Sequence, residues 1–298
     1  MAGRITGGMM RSQLLYNLNN NLGKLSKFQL QMETGKVINK PSDDPVGITY
    51  SLRYRSDFSA NIQFRSTVDS GLSQLDYADD VLDQIGKEWK TVRTLAVKAA
   101  NSTNDETAMD AIKTELEELY DELVSLANNQ FQGRYIFNGQ KTDIKPYDPA
   151  TAETAATDNG EILFEMSEDL KIQINITGNE VFGSPGDADN LFKVMKDLIN
   201  DIDNNDHQAV SDALDIIDSR NSKLLDARAA IGGRTNRVEL VQDRLEDLSV
   251  NLEDMQSNVE DADITELITR YTMTESVYRA SLAVGSRSMT PTLVDFLN

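Results

Sequence analysis

Cysteine is absent from this 298-residue chain, and histidine occurs once, at His207. The first absence excludes a disulfide framework, a thiol nucleophile and any cysteine-ligated zinc or iron–sulfur centre. The second removes histidine metal clusters. Proline is scarce, with six in all and none between Pro45 and Pro146, so helices can run long. No stretch of about 18 apolar residues occurs, which leaves no candidate for membrane insertion. The opening Met-Ala-Gly-Arg-Ile-Thr-Gly-Gly-Met-Met lacks the apolar core of a secretory signal. The expectation is a chain that is cytoplasmic or exported without a cleaved signal.

Positive charge is also short, 29 Lys and Arg against 49 Asp and Glu, a formal net charge of −20. Phosphate binding requires a basic face, so no nucleic-acid partner is expected. The imbalance is uneven. Residues 143–220 carry 18 acids against 5 bases, residues 1–40 carry 6 bases against the single acid Glu33, and residues 249–298 carry 8 acids against 3 bases. Opposite signs at the two ends favour their pairing, although exposed pairs contribute only about 0–1 kcal/mol each.

What the chain has in abundance is heptad periodicity. Between Leu224 and Ala262 the a series reads Leu224, Ile231, Val238, Leu245, Leu252, Val259, and the d series Ala227, Arg234, Val241, Leu248, Met255, Ala262. Only Arg234 is not apolar, and a stem that snorkels to the edge of the seam accounts for it. Such a seam would run about 58 Å, longer than a compact domain of this size is wide, so the reading is a rod.

The rest of the chain supplies that seam with partners. Leu15, Leu18, Leu22, Leu25 and Met32 make an amphipathic helix that stops at Gly35, its polar side rich in asparagine and therefore marginal alone. In the segment Asn39-Lys40-Pro41-Ser42-Asp43-Asp44-Pro45, Asp44 is placed to cap and Pro45 to open a second helix. That helix continues through Val68, Leu75, Leu82, Trp89 and Ala96 to about Ala100. After a turn at 101–104, Ile112, Leu116, Leu119, Leu123 and Leu126 mark the other arm of an antiparallel helical hairpin ending near Gly133. The period then changes to that of strands at Arg134–Gly139, Glu161–Met166 and Leu170–Ile176, with a loop at Thr151–Gly160. Helix resumes through Leu191–Ile202, breaks at Asp203–Asp206 and restarts near His207. A last stripe comprises Leu267, Tyr271, Tyr278, Leu282 and Met289, followed by Leu293, Phe296 and Leu297.

The fold class expected is mainly α with a small β-rich insertion (α+β), an elongated antiparallel helical bundle or coiled coil built from both chain ends. The division is 1–44 assembly helix and connector, 45–133 helical hairpin, 134–186 acidic β-rich middle, 187–262 returning helices and 263–298 C-terminal assembly helix.

Catalytic and metal-binding signatures are weak. His207 sits in an Asn-Asn-Asp-His loop without a nucleophile nearby and reads as solvated; Asp43-Asp44 reads as a cap and Asp79-Asp80 as a solvated helix surface. Asp201–Asp206 lacks the glycine and glutamate of a calcium loop. Gly7-Gly8 and Gly232-Gly233 match no phosphate cradle, and the second pair reads as a bend or a close-packing point. No enzyme activity, cofactor or metal is expected. The terminal stripes, by contrast, read as surfaces buried against other subunits, carried by Leu15, Leu18, Leu22, Leu25, Met32, Leu267, Tyr271, Tyr278, Leu282, Met289, Leu293, Phe296 and Leu297.

The residues resemble the flagellin superfamily and, within it, the branch found at the hook–filament junction. The resemblance rests on Arg4-Ile5-Thr6, on Thr34 to Gly47 including Asn39, Pro41, Asp43, Asp44 and Pro45, and on Gly133–Gly139. It continues through Arg228 to Arg237, which includes Asn236, then Val259–Ile264 and the ending Thr290–Leu297. Flagellins usually close the first of these stretches with Asp-Asp-Ala-Ala-Gly, whereas here the prolines flank Ser-Asp-Asp. One departure is the extra Met-Ala-Gly before Arg4.

The resemblance implies a non-enzymatic structural adaptor, exported unfolded by the flagellar type III pathway and polymerised outside the cell as a ring or layer. Its implied neighbours are a hook-associated junction protein on the hook side and flagellin on the filament side, with an export chaperone at the C-terminal helix. Marginal terminal helices that order only when many subunits bury them agree with that implication. A short flagellin, a surface enzyme with a site in 140–215 and a cytoplasmic coiled-coil scaffold are the competing readings.

Overall fold

The computed structural model describes residues 7–101 and 105–288. In chain order it contains α1 (Gly7–Thr34), α2 (Pro45–Ala99), α3 (Glu106–Ala127), β1 (Gln130–Phe131), β2 (Arg134–Tyr135), β3 (Leu163–Ser167), β4 (Leu170–Gln173), α4 (Gly178–Phe182), α5 (Leu191–Asp203), α6 (His207–Glu260) and α7 (Ile264–Ser288). The described chain is thus mainly helical, with two two-stranded antiparallel sheets, β1–β2 and β3–β4. Residue contacts divide it into two compact units, residues 61–247 and residues 1–60 with 248–298.

Helix boundaries follow local chemistry. Asp44 Oδ1 accepts from the backbone N–H groups of Val46 and Gly47, both at 3.0 Å, and Pro45 occupies the first helical position. A Cβ at residue 47 would lie 2.5 Å from Asp44 Oδ2, so any other residue there would push the capping carboxylate aside. At α3 the cap is Asp105, which accepts from the Ala108 N–H at 2.9 Å. The expected capping residues Ser102–Asn104 lie outside the described residues.

In the unit 61–247, α2 and α6 are antiparallel. Buried Trp89 donates through Nε1 to the Ile217 carbonyl at 3.0 Å, Arg93 pairs with Asp218 at 2.6 Å, and Arg228 spans Asp79 and Asp83 at 2.8 and 2.5 Å. Asp79 is therefore an ion-pair partner and not merely solvated. His207 opens α6, where its Nδ1 meets the Ala99 carbonyl at the end of α2 at 2.8 Å. A carbonyl only accepts, so Nδ1 carries the hydrogen and covers an otherwise orphaned group at a helix terminus. The expected loop histidine thus belongs to a helix and ties two elements together.

The insertion differs from its expected outline. α3 stops at Ala127, six residues before Gly133, because Gln132 at φ 51° and Gly133 at φ 79° form the two-residue turn of the β1–β2 hairpin. Arg134–Gly139 is strand for two residues only, after which Ile136 and Phe137 enter the core. β4 pairs with β3 at Leu163↔Gln173 and Phe164↔Ile172 and ends there; the Ile174 N–H still donates to the Ile162 carbonyl at 3.0 Å, and Ile174 and Ile176 continue into the core beyond the strand. The short helix α4 carries a full capping box, Thr177 with Glu180, that the strand reading passed over. The centre of this region is aromatic, with Phe137, Tyr147, Phe182 and Phe192 at ring separations of 4.9–5.3 Å.

The α6 seam is real but not straight. Its a positions Leu224, Ile231, Val238, Leu245 and Leu252 are buried, whereas at d Ala227 is buried, Val241 is half-buried, and Leu248 and Met255 are exposed. Past Leu245 the contact line shifts off the heptad, through Ser249, which is buried, Gln256, which is half-buried, and Glu260, which is buried. A helix with 3.6 residues per turn drifts about 20° per heptad against a strict seven-residue repeat, which moves the contact line by one residue after a few heptads. Ala262 lies beyond the helix end. Arg234 does not snorkel into solvent; its Nη1 donates to the Asn175 carbonyl at 2.6 Å. Space around Gly232 and Gly233 is open, so no close approach within the chain explains them.

Candidate assembly surface

The terminal helices belong to the other unit. α1 and α7 run antiparallel, and Leu14 of α1 occupies the space above Gly285 of α7, 2.7 Å from where a Cβ would stand. On α7 the residues turned inward are Leu267, Tyr271, Thr274, Tyr278, Ser281 and Gly285, spaced 4, 3, 4, 3, 4. On α1 they are Leu14, Leu18, Asn21, Leu25 and Phe28, spaced 4, 3, 4, 3. This is one coiled-coil seam, small and polar at several positions, so it leaves most of the apolar surface outside.

Eleven large apolar side chains on α1 and α7 remain exposed among the described residues: Met9, Met10, Leu15, Tyr16, Leu22, Ile264, Ile268, Met273, Val277, Leu282 and Val284. Met273, Val277, Ala280 and Val284 form a second 4, 3, 4 seam on α7, about 100° around the helix from the first. The stripe read from sequence is therefore split. Leu18, Leu25, Met32, Leu267, Tyr271 and Tyr278 are buried or half-buried within the chain, while Leu15, Leu22 and Leu282 face outward. Met289, Leu293, Phe296 and Leu297 lie outside the described residues.

A polar joint holds the two connectors together where α1 leads to α2 and α6 leads to α7. The Val37 N–H donates to the Glu260 carbonyl at 2.7 Å, the Ala262 N–H to the Gly35 carbonyl at 2.9 Å, and Gln31 Nε2 to the Val37 carbonyl at 2.7 Å. At its centre the Glu260 carboxylate, 1% exposed, accepts from Arg55 Nε and Nη2 at 2.6 Å each, from Lys36 Nζ at 2.5 Å and from Ser51 Oγ. The Arg55 bonds, followed by those of Lys36, Ser51 and Gln256, hold its pKa well below the ordinary glutamate value despite burial.

The connector beside it is similarly tied. Asp43 pairs with Lys27 at 3.1 Å and accepts from the N–H groups of Asn39 and Lys40 at 3.2 and 3.0 Å, which lowers its pKa, Lys27 first. Asn39 Nδ2 donates to the Lys36 carbonyl at 2.9 Å, and Pro41 is exposed at the turn. Of the other motif residues, Arg228 is the ion-pair partner described above, and Asn236 and Arg237 are exposed on α6.

Glu260 was legible only as a residue of a family motif. No periodicity marked it as buried, since it falls on the shifted contact line of α6. Charge is segregated between the units: residues 1–60 with 248–298 hold 11 bases and 12 acids, and residues 61–247 hold 18 bases and 37 acids, a net −19. Among the described residues no group of acidic or histidine side chains could hold a metal ion, and no helix is long and apolar enough to cross a membrane. The chemistry this surface offers is the burial of apolar side chains.

Comparison with known proteins places these features. The family model of the bacterial flagellin N-terminal helical region matches residues 5–142 and that of the C-terminal helical region residues 214–297. Flagellar hook-associated protein 3 of Salmonella typhimurium is 25% identical over 300 aligned positions, covering 93% of this chain and 94% of that protein. A flagellin of Halalkalibacterium halodurans is 24% identical, covering 90% and 89%. A solved flagellar hook-associated protein of Vibrio parahaemolyticus shares the fold at a TM-score of 0.69 and 22% identity, over 74% of this chain and 100% of that one. With flagellin helical regions at both ends and a relative among the hook-associated proteins aligned along nearly its whole length, the chain belongs to the flagellin superfamily, in its hook-associated protein 3 branch.

Proposed function

We propose that this protein is a structural adaptor of the bacterial flagellum, without enzymatic activity, that polymerises with copies of itself at the junction between hook and filament. The observation that carries the reading is the second seam of α7 with the outward leucines of α1: an extensive apolar surface that one chain leaves uncovered. Fully burying a large apolar side chain is worth about 1.5–3 kcal/mol, so completing the burial of eleven half-exposed ones is on the order of 10 kcal/mol per subunit. That is ample to order a layer of subunits and little use to an isolated chain.

Leu15, Leu22 and Leu282, with Met273, Val277 and Val284, are the residues assigned to subunit contacts. The neighbours are a hook-associated junction protein on one side and flagellin on the other. The protein reaches the cell exterior unfolded, and α7 with the residues after it is the segment an export chaperone covers. Residues 1–44 and 263–298 serve assembly, 45–133 and 187–262 form the supporting helices, and 134–186 is the acidic middle.

Deletion of the gene tests the reading. Flagellin that is made, exported and shed into the medium, with hooks left bare, is the expected phenotype, and labelled protein should sit at the cell-proximal end of isolated filaments. Label along the whole filament, with no flagellin left to shed after deletion, would identify a short flagellin instead.

A further inference from the structure

Among the described residues, the four most exposed methionines and the three fully enclosed ones fall in different units, with Met32 half-buried in the unit of the exposed four. Met9, Met10, Met255 and Met273 are 63, 55, 48 and 70% exposed, and all four lie in the unit that carries the terminal helices. Met109, Met166 and Met195 of the other unit are 2, 0 and 0% exposed, enclosed in its core. An exposed thioether is open to two-electron oxidants, and a buried one is shielded. Met273 heads the second seam of α7, Met9 and Met10 stand on the first turns of α1, and Met255 occupies an outward d position of α6.

We infer that these four methionines form a peroxide-sensitive modification site, through which oxidation of the free subunit blocks its addition to the assembly. This rests on the self-assembly reading above. In the reaction the thioether sulfur attacks one oxygen of hydrogen peroxide, the O–O bond breaks, a sulfur–oxygen bond forms, and the peroxide is reduced to water while sulfur loses two electrons. The product is a polar, chiral sulfoxide on a surface whose association depends on being apolar. Burial in the finished layer shields the same atoms, so sensitivity belongs to the unassembled subunit and not to the structure it builds.

The test treats the full-length monomer with dilute hydrogen peroxide, maps sulfoxides by peptide mass spectrometry and then measures addition to preformed assemblies. Oxidation at Met9, Met10, Met255 and Met273 with Met109, Met166 and Met195 spared is expected, together with at least tenfold slower addition. The variant carrying M9L, M10L, M255L and M273L should add at an unchanged rate after the same treatment, and preassembled protein should resist oxidation at these positions. Equal oxidation of buried and exposed methionines, or a quadruple variant inhibited as strongly as the parent, would overturn the inference. Assembly untouched by peroxide overturns this inference alone, whereas untreated protein that never assembles overturns the self-assembly reading and this inference with it.

Discussion

Replacing Glu260 by glutamine isolates the polar joint from everything else in the molecule. The substitution keeps the shape and removes the charge, leaving Arg55 and Lys36 facing an amide that cannot accept as strongly. Removing one partner of a fully buried ion pair costs about 3–5 kcal/mol. Arg55 and Lys36 are 47 and 36% exposed and can turn toward water, so screening reduces this to about 2–3 kcal/mol.

The loss should be local. Hydrogen exchange at the Val37 and Ala262 amides, both bonded across the joint, should accelerate about 30- to 150-fold, the factor that 2–3 kcal/mol represents. Trp89, the single tryptophan, lies in the core of residues 61–247, and its fluorescence should report the same urea midpoint as the parent for that unit. Unchanged exchange at both amides would show that the carboxylate does not hold the joint. An equal loss at the Trp89 transition would refute its local character.

Acid should act on the same carboxylate. Because its folded pKa lies below the ordinary 4.5, the joint is fully stabilised above that value and weakens as pH falls below it, so Val37 exchange corrected for intrinsic rate should rise between about pH 4.5 and 2 in the parent and change less in E260Q. Arg234→Ala should lower the urea midpoint of the Trp89 transition by an amount equivalent to about 1–2 kcal/mol, through loss of the charged donor to Asn175. Gly178→Ala would place a methyl 2.3 Å from Tyr147 Oη and 3.0 Å from the Phe137 carbonyl, and thermal denaturation should reveal a cost of about 1–3 kcal/mol. Burial, followed by Asp197 and Asp206, holds the Asp201 pKa above its ordinary 3.8. Asp201→Asn should therefore stabilise by roughly 0.2–0.5 kcal/mol at pH 7, with the gain vanishing in acid where the parent is protonated.

Local chemistry was enough to place most helices. Pro45 after Asp44 and Gly35 after a leucine stripe each act through atoms a few residues apart, and both helix ends stand where sequence puts them. Strand extent was less legible, since a short apolar run such as Ile174–Ile176 is equally suited to a strand or to core-lining irregular chain. His207, Asp79 and Arg234 were misread for one reason: each finds a partner far along the chain, at Ala99, Arg228 and Asn175, and no local spacing encodes such a distance.

The sequence by itself determined that the chain would be helical and that its two ends would carry apolar stripes. Periodicity, capping and composition are properties of neighbouring residues, so they survive without coordinates. Only the tertiary structure decided which side of each stripe is satisfied within the chain and which is left for a neighbour, because that depends on how α1 lies on α7: Leu18, Leu25 and Tyr278 are turned in, Leu22, Met273 and Val284 out. The same holds for Glu260, whose burial among Arg55, Lys36 and Ser51 exists only once segments some two hundred residues apart have been brought together.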